Sequence, residues 1–287
     1  MLREPRSPWP AWVENRGVPR LDQQLGADEV AITFVNHATF LIQTAGVAIL
    51  TDPMWSERAS PFRRLGPKRV RSPGVPLDRL PAIDIVLLSH NHYDHLDIAT
   101  LECLRQRCTP TVLAAMGDRR LIAPIGFSHV HELDWWQQVG FNDTLAITFM
   151  PAQHFSARGF FDRRKSLWGG YIIESRGRRI YFGGDTGYST HFADIRSRLG
   201  PPDIAMLGIG AYEPRWFMQT MHMNPAEAIR AHRDLGSRHS IGMHFGTFQL
   251  TLEAIDQPQI DLETARTESG VAASEFITLN EGETRIY

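Results

Sequence analysis

The chain has 287 residues, 43% of them hydrophobic and 22% charged, and its 32 acidic residues nearly balance its 30 basic ones. This is the composition of a folded globular protein, so a disordered chain, a collagen and a strongly basic nucleic-acid binder are excluded. Two cysteines are too few for a disulfide scaffold, and no apolar run has the length of a membrane span or a signal peptide, so we expect a cytoplasmic protein.

The predicted elements are mostly short apolar strands. Residues 1–28 are rich in proline and tryptophan and lack periodicity, so we expect an N-terminal arm, followed by one folded domain over residues 29–287. Apolar runs and turn signals predict strands at 30–35, 39–43, 47–51, 83–88, 111–115, 130–133, 145–150, 171–174, 179–182, 204–208, 240–243 and 275–279. Helices are predicted at 98–107 and at 225–235, where Asn224 is the N-cap. Strands interspersed with helices predict an α/β or α+β fold.

The most informative segment is Ser-His-Asn-His-Tyr-Asp-His at residues 89–95, which directly follows a predicted strand. Loops after strand ends are where open α/β folds place their sites. His90 and His92 are two residues apart, so on an extended chain they point the same way. Asp94 and His95 follow at a turn and can face a second point nearby. A lone histidine is usually an ordinary hydrogen-bonded residue, but this cluster suits zinc or a similar divalent ion.

Three further ligand-type residues, His154, Asp185 and His244, each come shortly after the end of a predicted strand. Singly these are weak signals, because an aspartate in a glycine-rich segment is usually only a turn residue. Together with the segment at 89–95 they supply enough ligands for a pair of ions roughly 3.5–4 Å apart. Such a pair, bridged by a carboxylate and a hydroxide, carries out hydrolysis.

These residues resemble a known pattern. The chain resembles the metallo-β-lactamase superfamily at His90, His92, Asp94, His95, His154, Asp185 and His244. Within that superfamily it resembles the zinc phospholipases D that hydrolyse N-acyl phosphatidylethanolamines, through residues 51–53, 89–97, 151–154, 182–188, 209–218 and 244–248. The resemblance covers about residues 30–287 and implies a four-layer αββα sandwich. It also implies cleavage of a phospholipid by a metal-bound hydroxide, giving phosphatidic acid and an N-acylethanolamine.

The resemblance further implies a role for each site residue. One zinc ion would be held by His90, His92 and His154, the second by Asp94, His95 and His244, and both by the bridging Asp185. Asp94, Asp185 and His222 are the expected catalytic residues, and His222 would protonate or position the leaving group. Tyr93 and His222 match positions beside the bound phospholipid. Asp52 matches a carboxylate that orients a zinc-bound imidazole, although it could be only a turn residue, and His37 is expected to give buried support.

Other interpretations stay open. The same fold could open the lactone of a sugar phosphate. A nuclease is a weaker interpretation, because neither an inserted second domain nor a basic tail is visible. A metal-dependent lipid-binding module is disfavoured. A structural metal site is closed by four ligands, whereas this sequence has ligand-type residues at all seven positions of the pattern. Residues 58–71 and 158–168 combine basic and aromatic side chains, which suits peripheral contact with an anionic membrane but is also typical of solvated loops. The native metal (zinc, manganese or iron) and a homodimer are not decided by the sequence.

Overall fold

Continuously buried, mostly apolar residues dominate the strands of the computed structural model, which describes residues 5–287. In chain order the strands are β1 (Val30–Asn36), β2 (Thr39–Thr44), β3 (Val47–Thr51), β4 (Ile85–Leu88), β5 (Thr111–Ala115), β6 (His129–Leu133), β7 (Gln138–Asn142), β8 (Leu145–Met150), β9 (Gly170–Ser175), β10 (Arg178–Phe182), β11 (Ile204–Gly208), β12 (His239–Met243), β13 (Phe276–Ile277) and β14 (Thr284–Ile286). The helices are α1 (Ile98–Arg107), α2 (Arg119–Ile122), α3 (His191–Leu199), α4 (Arg215–Met218), α5 (Pro225–Leu235) and α6 (Gln257–Ser269).

The strands form two seven-stranded mixed sheets. The first has the order β14-β1-β2-β3-β4-β5-β6 and the second the order β13-β12-β11-β10-β9-β8-β7. Each sheet is antiparallel in one half and parallel in the other: β3 to β6 run parallel in the first sheet and β10 to β13 in the second. The parallel halves matter for the site, because parallel strands bring several loops to one edge of a sheet.

The core lies between the two sheets, and helices cover their outer faces. On β2, Phe40 and Ile42 point into the space between the sheets, whereas the intervening Leu41 points outward and packs in the cluster that contains Leu101 of α1. On the other side of the molecule α5 packs on β11, and Ile229 of this helix is buried. A buried side chain of this size contributes roughly 1.5–3 kcal/mol to folding. The layers therefore run helix, sheet, sheet, helix, which confirms the predicted αββα sandwich.

Several elements differ from the prediction. The strand predicted at 83–88 begins at Ile85, and the one predicted at 275–279 contains only Phe276 and Ile277. The helices α3 and α6 and the strands β7 and β14 were not predicted. The reason is sparse burial: α6 buries only three of its thirteen residues, so its apolar periodicity is weak. Likewise β7 is exposed at alternate positions, and β14 is a three-residue edge strand.

Residues 5–28 contain no helix or strand, as the lack of periodicity predicts. This segment is nevertheless tied to the rest of the chain. The Ser7 amide donates to Leu252 O at 2.9 Å, the Val13 amide to Val70 O at 2.7 Å and the Trp9 indole to Glu253 O at 2.8 Å. Across the described residues 5–287, none of the helices combines the length and the apolar character needed to cross a membrane.

Candidate metal centre

The loop after β4 carries the central motif. All four residues of β4 are buried, and the strand ends directly at Ser89 and His90. The chain then makes a turn in which the amides of His95 and Leu96 both donate to His92 O, at 3.1 and 2.9 Å. This turn reverses the direction of the loop between its first two histidines and its second ligand pair. As a result, one short segment directs ligand-type side chains toward two neighbouring positions.

The first donor set consists of His90, His92 and His154. Its nitrogen atoms converge: His90 Nε2 lies 2.9 Å from His92 Nδ1, and His154 Nε2 lies 3.2 Å from the same atom. The outward nitrogens have partners of their own, since His90 Nδ1 meets Ser89 Oγ and His154 Nδ1 donates to Met221 O, both at 2.9 Å. These outer bonds fix the ring orientations, as the outer partners of metal-binding histidines commonly do.

The second donor set consists of Asp94, His95 and His244. Asp94 Oδ2 lies 3.5 Å from His95 Nε2 and 3.4 Å from His244 Nε2. Two residues that were predicted as supports contact the side chains of this set. Asp52 Oδ2 accepts from His95 Nδ1 at 2.7 Å, and His37 Nε2 lies 2.9 Å from Asp94 Oδ2. Both Asp52 and His37 are buried, as expected for supports.

Asp185 joins the two donor sets. Its Oδ2 atom lies 3.1 Å from His95 Nε2 and 3.2 Å from His244 Nε2, and 3.8 Å from the Nε2 atoms of both His90 and His154. One carboxylate oxygen thus faces imidazoles of both sets. The seven residues together are called the donor cluster below, and all seven were predicted as metal ligands from the sequence.

A glycine allows Asp185 to reach this position. The preceding Gly184 has φ +57°, and a Cβ atom there would lie 2.6 Å from Gly169 O and 2.8 Å from the Ser89 side chain. A larger residue would therefore be strained and would press on the loop after β4. The close approach of these two loops places Asp185 beside the donors from the other sheet.

The protonation preferences of the two donor sets differ. Burial lowers the pKa of His90 and His154 well below the usual range, so these imidazoles are neutral. Burial also opposes charge on His95 and His244, but the carboxylates of Asp185 and Asp94 outweigh it and raise both pKa values, that of His244 to about 9. The protons on His95 and His244 thus offset the negative charge of two buried carboxylates. A bound divalent cation would supply the same kind of positive charge.

The donor cluster fits a metal pair. Four of its atoms, Asp185 Oδ1, His95 Nε2 and both ring nitrogens of His244, are buried without a hydrogen-bond partner, which is costly unless another group binds there. Five imidazoles and two carboxylates are a donor set that zinc and similar first-row ions prefer. Ligand atoms within 4.8 Å of one another include those of His90, His92 and His154, and those of Asp94, His95 and His244 with His37. Two further groups, Asp52 with His90 and His95, and Asp185 with His154 and His222, do not follow this division.

The two predicted substrate-contact residues lie in different surroundings. His222 borders the donor cluster: its Nδ1 is 4.0 Å from Asp185 Oδ2, and its ring centroid is 5.0 Å from that of His154. Burial lowers the pKa of His222 to about 4. Tyr93 instead points to Arg158, whose guanidinium lies 3.9 Å from the ring centroid and whose carbonyl accepts from the hydroxyl at 3.0 Å. Tyr93 therefore lines a cavity of about 660 Å³ in which none of the seven donors takes part.

Two loops contribute to the wall of that cavity, the first through residues between Arg58 and Arg63 and the second through Arg158. These loops, residues 58–71 and 158–168, are called the rim below. Their tips are apolar and open to solvent, with Phe62 61% and Phe160 fully exposed. The basic residues of the first loop do not all point outward, however. Arg69 is buried and donates to Met54 O at 2.9 Å, and Arg71 pairs with the buried Glu281. Only the remaining basic residues of this loop are available to an external partner.

Sequence reasoning missed several supporting residues. Asn91, between the first two histidines, donates to the buried Asp118 at 2.8 Å, and Arg158 donates to the carbonyls of Asn91 and Leu96 at 2.9 and 2.8 Å. Arg215 donates to His222 O at 3.0 Å. No local pattern signals these contacts, because each joins segments that are distant in sequence or depends on the shape of a loop.

A two-sheet sandwich with outer helices and a histidine–aspartate centre at the loops of both sheets is the architecture of a metal-dependent hydrolase. The family model described as a beta-lactamase superfamily domain matches residues 48–245. The chain therefore belongs to the metallo-β-lactamase superfamily and is a hydrolase of that superfamily.

Curated relatives narrow this class. The chain is 39% identical over 263 residues to the N-acyl-phosphatidylethanolamine-hydrolyzing phospholipase D 1 of Caenorhabditis elegans, covering 88% of this chain and 74% of the relative. It is 36% identical over 224 residues to the mitochondrial N-acyl-phosphatidylethanolamine-hydrolyzing phospholipase D of Saccharomyces cerevisiae, covering 76% of this chain but only 48% of the yeast protein. This finding confirms the resemblance seen in the sequence.

Solved structures agree on the fold. A metallo hydrolase from the archaeon Ignicoccus hospitalis superposes with a TM-score of 0.67 at 23% identity, covering 90% of this chain and 98% of that one. At this identity the likeness concerns the fold alone.

Proposed function

We propose that the protein is a dinuclear zinc phosphodiesterase of the phospholipase D type. Its substrate would be an N-acyl phosphatidylethanolamine or a similar phospholipid, and its products phosphatidic acid and an N-acylethanolamine. The observation that carries the two-ion proposal is the position of Asp185, whose single Oδ2 atom lies within 3.8 Å of imidazole nitrogens from both donor sets. The identity to two N-acyl-phosphatidylethanolamine-hydrolyzing enzymes supports the substrate class.

Each donor set would hold one ion. His90, His92 and His154 would bind the first, Asp94, His95 and His244 the second, and Asp185 both. Bound zinc supplies Lewis acidity, which lowers the pKa of water toward neutrality and offsets charge on a phosphoryl group. Asp52 and His37 would fix the orientation of the second set through their contacts with His95 and Asp94.

The residues around the donor cluster would bind and orient the lipid. His222 lies at the border of the cluster, with a side chain that is 13% exposed, so it can meet a substrate oxygen and still contact the ligands. We assign to it the positioning or protonation of the leaving oxygen. Tyr93 would contact the lipid from the cavity side, where the wall carries three basic residues (Arg58, Arg63 and Arg158) and three acidic ones (Glu57, Asp97 and Glu102).

We also propose that the rim touches a lipid surface. Phe160 and Phe161 are 100% and 89% exposed, and Arg163, Arg164 and Lys165 follow after Asp162 in the sequence. Exposed aromatic residues beside cations suit an anionic bilayer, where the rings enter the interface and the cations meet lipid phosphates. In this proposal residues 29–287 act as one hydrolase domain, and residues 1–28 form an arm attached to it.

The test of the proposed function has two parts. The protein is first stripped with a chelator and then reloaded with zinc, and the metal content per chain is measured. Two ions per chain, together with activity that is lost on stripping and restored by zinc, are expected. One ion or none favours a lipid-binding module instead, and phosphodiesterase activity that survives complete metal removal contradicts the mechanism.

The second part compares N-acyl phosphatidylethanolamine, ordinary phospholipids and a sugar-phosphate lactone on the zinc-loaded protein. Release of an N-acylethanolamine is expected, with the lactone left intact. Preferential opening of the lactone would support the lactonase interpretation and reject the lipid substrate. Manganese and iron reloading in parallel shows whether zinc is the most effective metal.

A further inference from the structure

The segment that carries His222 is held largely by hydrogen bonds, because within it only the first residue, Tyr212, is buried. This segment, residues 212–222, is called the strap below, and it includes α4. None of the residues of α4 is buried, and Trp216 and Phe217 are 66% and 55% exposed. Since apolar contacts cannot fix such a helix, its polar contacts must set its position.

Arg215 makes the contact that reaches His222. Its Nη1 atom donates to His222 O at 3.0 Å, and its Nη2 atom donates to Glu227 Oε2 at 2.7 Å. The planar guanidinium thus bridges the end of the strap and the first turn of α5. A lysine cannot copy this geometry, because its single ammonium does not present two donors in a fixed plane.

Glu227 is a firm anchor. It closes a capping box at the start of α5: its amide donates to Asn224 Oδ1 at 2.9 Å, and its carboxylate accepts from the Asn224 amide at 3.1 Å. Capping boxes fix helix starts, so the Glu227 carboxylate has a defined place. Arg215 is held by this carboxylate and in turn fixes the position of the His222 carbonyl.

Other bonds hold the neighbours of His222 independently. Gln153 Nε2 donates to Thr220 O at 3.1 Å, and His154 Nδ1 donates to Met221 O at 2.9 Å. Loss of Arg215 would therefore leave the preceding two residues tied to the loop after β8. It would also leave the His222 amide bonded to Met218 O at 2.9 Å and the Met223 amide bonded to Thr186 O at 3.0 Å. The carbonyl of His222 would lose the Arg215 donor.

We propose that Arg215 is a positioning residue that, anchored by Glu227, fixes the His222 imidazole beside the donor cluster. The importance of that position for activity rests on the proposed role of His222. Arg215 itself contacts neither the donor cluster nor, in this proposal, the reacting atoms.

The test uses Arg215→Met and Arg215→Lys in the full chain, with Arg198→Met as a matched control. Arg198 is a comparable arginine outside the strap, with its guanidinium 4.2 Å from the ring centroid of Trp136. Loss of a charged hydrogen bond is expected to lower kcat/KM for Arg215→Met by about 10- to 100-fold, with a smaller loss for Arg215→Lys and none for the control. Metal content is expected to stay at the wild-type value.

A double-substitution cycle separates positioning from general damage. In a His222→Ala background, Arg215→Met is expected to change kcat/KM by less than about twofold, because interacting residues are not additive. An equal loss in both backgrounds, or a loss of bound metal, would overturn the proposal. Glu227→Gln serves as a second variant should Arg215→Met fail to fold, since it keeps the capping acceptor but removes the charge that holds Arg215.

A crystal structure of the Arg215→Met or Glu227→Gln variant gives a readout that needs no activity. We expect the His222 imidazole to move away from Asp185, where Nδ1 and Oδ2 are now 4.0 Å apart. An unmoved imidazole rejects the proposal. Should the wild type fail to cleave any phospholipid, the proposed function fails, but this structural comparison still decides the role of Arg215.

Discussion

The donor cluster and the rim lie close together but hold their side chains in opposite ways. In the cluster, His95 has no exposed surface, and its two nitrogens face Asp52 on one side and Asp185 on the other. In the rim, Phe160 is fully exposed, and its loop depends on a few contacts such as the 2.8 Å bond from the Gly159 amide to Asp162. One region is fixed from every side, and the other is open.

This difference separates chemistry from substrate choice. A buried ligand side chain with fixed partners loses little conformational entropy when an ion binds, because its geometry is already set. An exposed aromatic tip gains nothing from folding and becomes useful only against another apolar surface. Substitutions in the cluster are therefore expected to abolish turnover, whereas substitutions in the rim should alter where the enzyme acts.

The largest effect is expected for Asp185→Asn. The side-chain volume is kept, but the charge shared by both donor sets is lost, and an amide group replaces one oxygen. We predict a fall in kcat/KM of about a thousandfold or more, with fewer than two ions bound per chain. Asp143→Asn, in an exposed turn between β7 and β8, is the matched control and should match the wild type. Near-normal activity with full metal content in Asp185→Asn would contradict the expectation that substitutions in the donor cluster abolish turnover.

Much of the cluster could be predicted because its donors are coded locally. Each follows a strand that has a clear apolar signature, and strand ends in such folds meet at one edge. The segment at 89–95 alone supplied four of the seven donors. The same strands indicated only an α/β or α+β class; the two-sheet αββα sandwich was implied by the family resemblance, and α3 and α6 were not predicted.

The rest depended on long-range contacts. Tyr93 lies inside the ligand loop, yet it turns toward Arg158, which is 65 residues away in sequence. Arg69 looked like an exposed cation, but the structure buries it, and burial lowers its pKa to about 10. The sequence pattern shows which residue types alternate, but not which loop covers them, so exposure in the rim could not be predicted.

The buried His191, whose Nε2 lies 3.3 Å from Thr186 Oγ1, is expected to contribute to acid stability. Burial lowers the pKa of His191 from 6.5 to about 4, so the folded state binds fewer protons than the unfolded state between these values. The contribution is present above pH 6.5 and is lost as the pH falls toward 4. Its size is on the order of 3 kcal/mol. Urea unfolding of His191→Asn should therefore show a weaker fall in stability over this range.

The exposed His131 supplies the control for that measurement. His131→Asn should leave the pH dependence of the unfolding free energy as it is in the wild type. A His191→Asn protein that loses stability on acidification as steeply as the wild type would show that burial at this position does not set the acid limit.

A smaller effect is expected for Asp52→Asn. Asp52 accepts from His95 Nδ1 at 2.7 Å and from the amide and hydroxyl of Ser89 at 2.7 and 2.6 Å. The Ser89 hydroxyl also meets His90 Nδ1, so loss of Asp52 should loosen the second donor set directly and the first only through Ser89. We predict metal affinity or activity reduced by about 10- to 100-fold, with the first ion retained during competition with a chelator. Asp84→Asn is the control, because Asp84 accepts from the Ala48 amide at 2.8 Å near the opposite end of β4. Equal loss of both ions would contradict the independence of the two sets.

The rim should give the smallest effect on chemistry. Replacing Phe160 and Phe161 by serine removes two exposed rings without touching the donor cluster. We predict about tenfold weaker binding to vesicles of phosphatidylcholine with an anionic lipid, because partly inserted rings contribute on the order of 1–2 kcal/mol. Hydrolysis of a water-soluble phosphodiester should be unchanged, which would show that the two regions act separately.

Two comparisons make that prediction decisive. Ile260, half exposed at 50% on α6, lies outside the rim, so Ile260→Ser should bind vesicles as the wild type does. Vesicles of phosphatidylcholine alone test the charge contribution, since the cations at 163–165 should favour the anionic vesicles and lose that preference at high salt. Equal binding of the wild type to both vesicle types would mean that the rim is a solvated surface, and its exposed aromatic rings would then need a different partner.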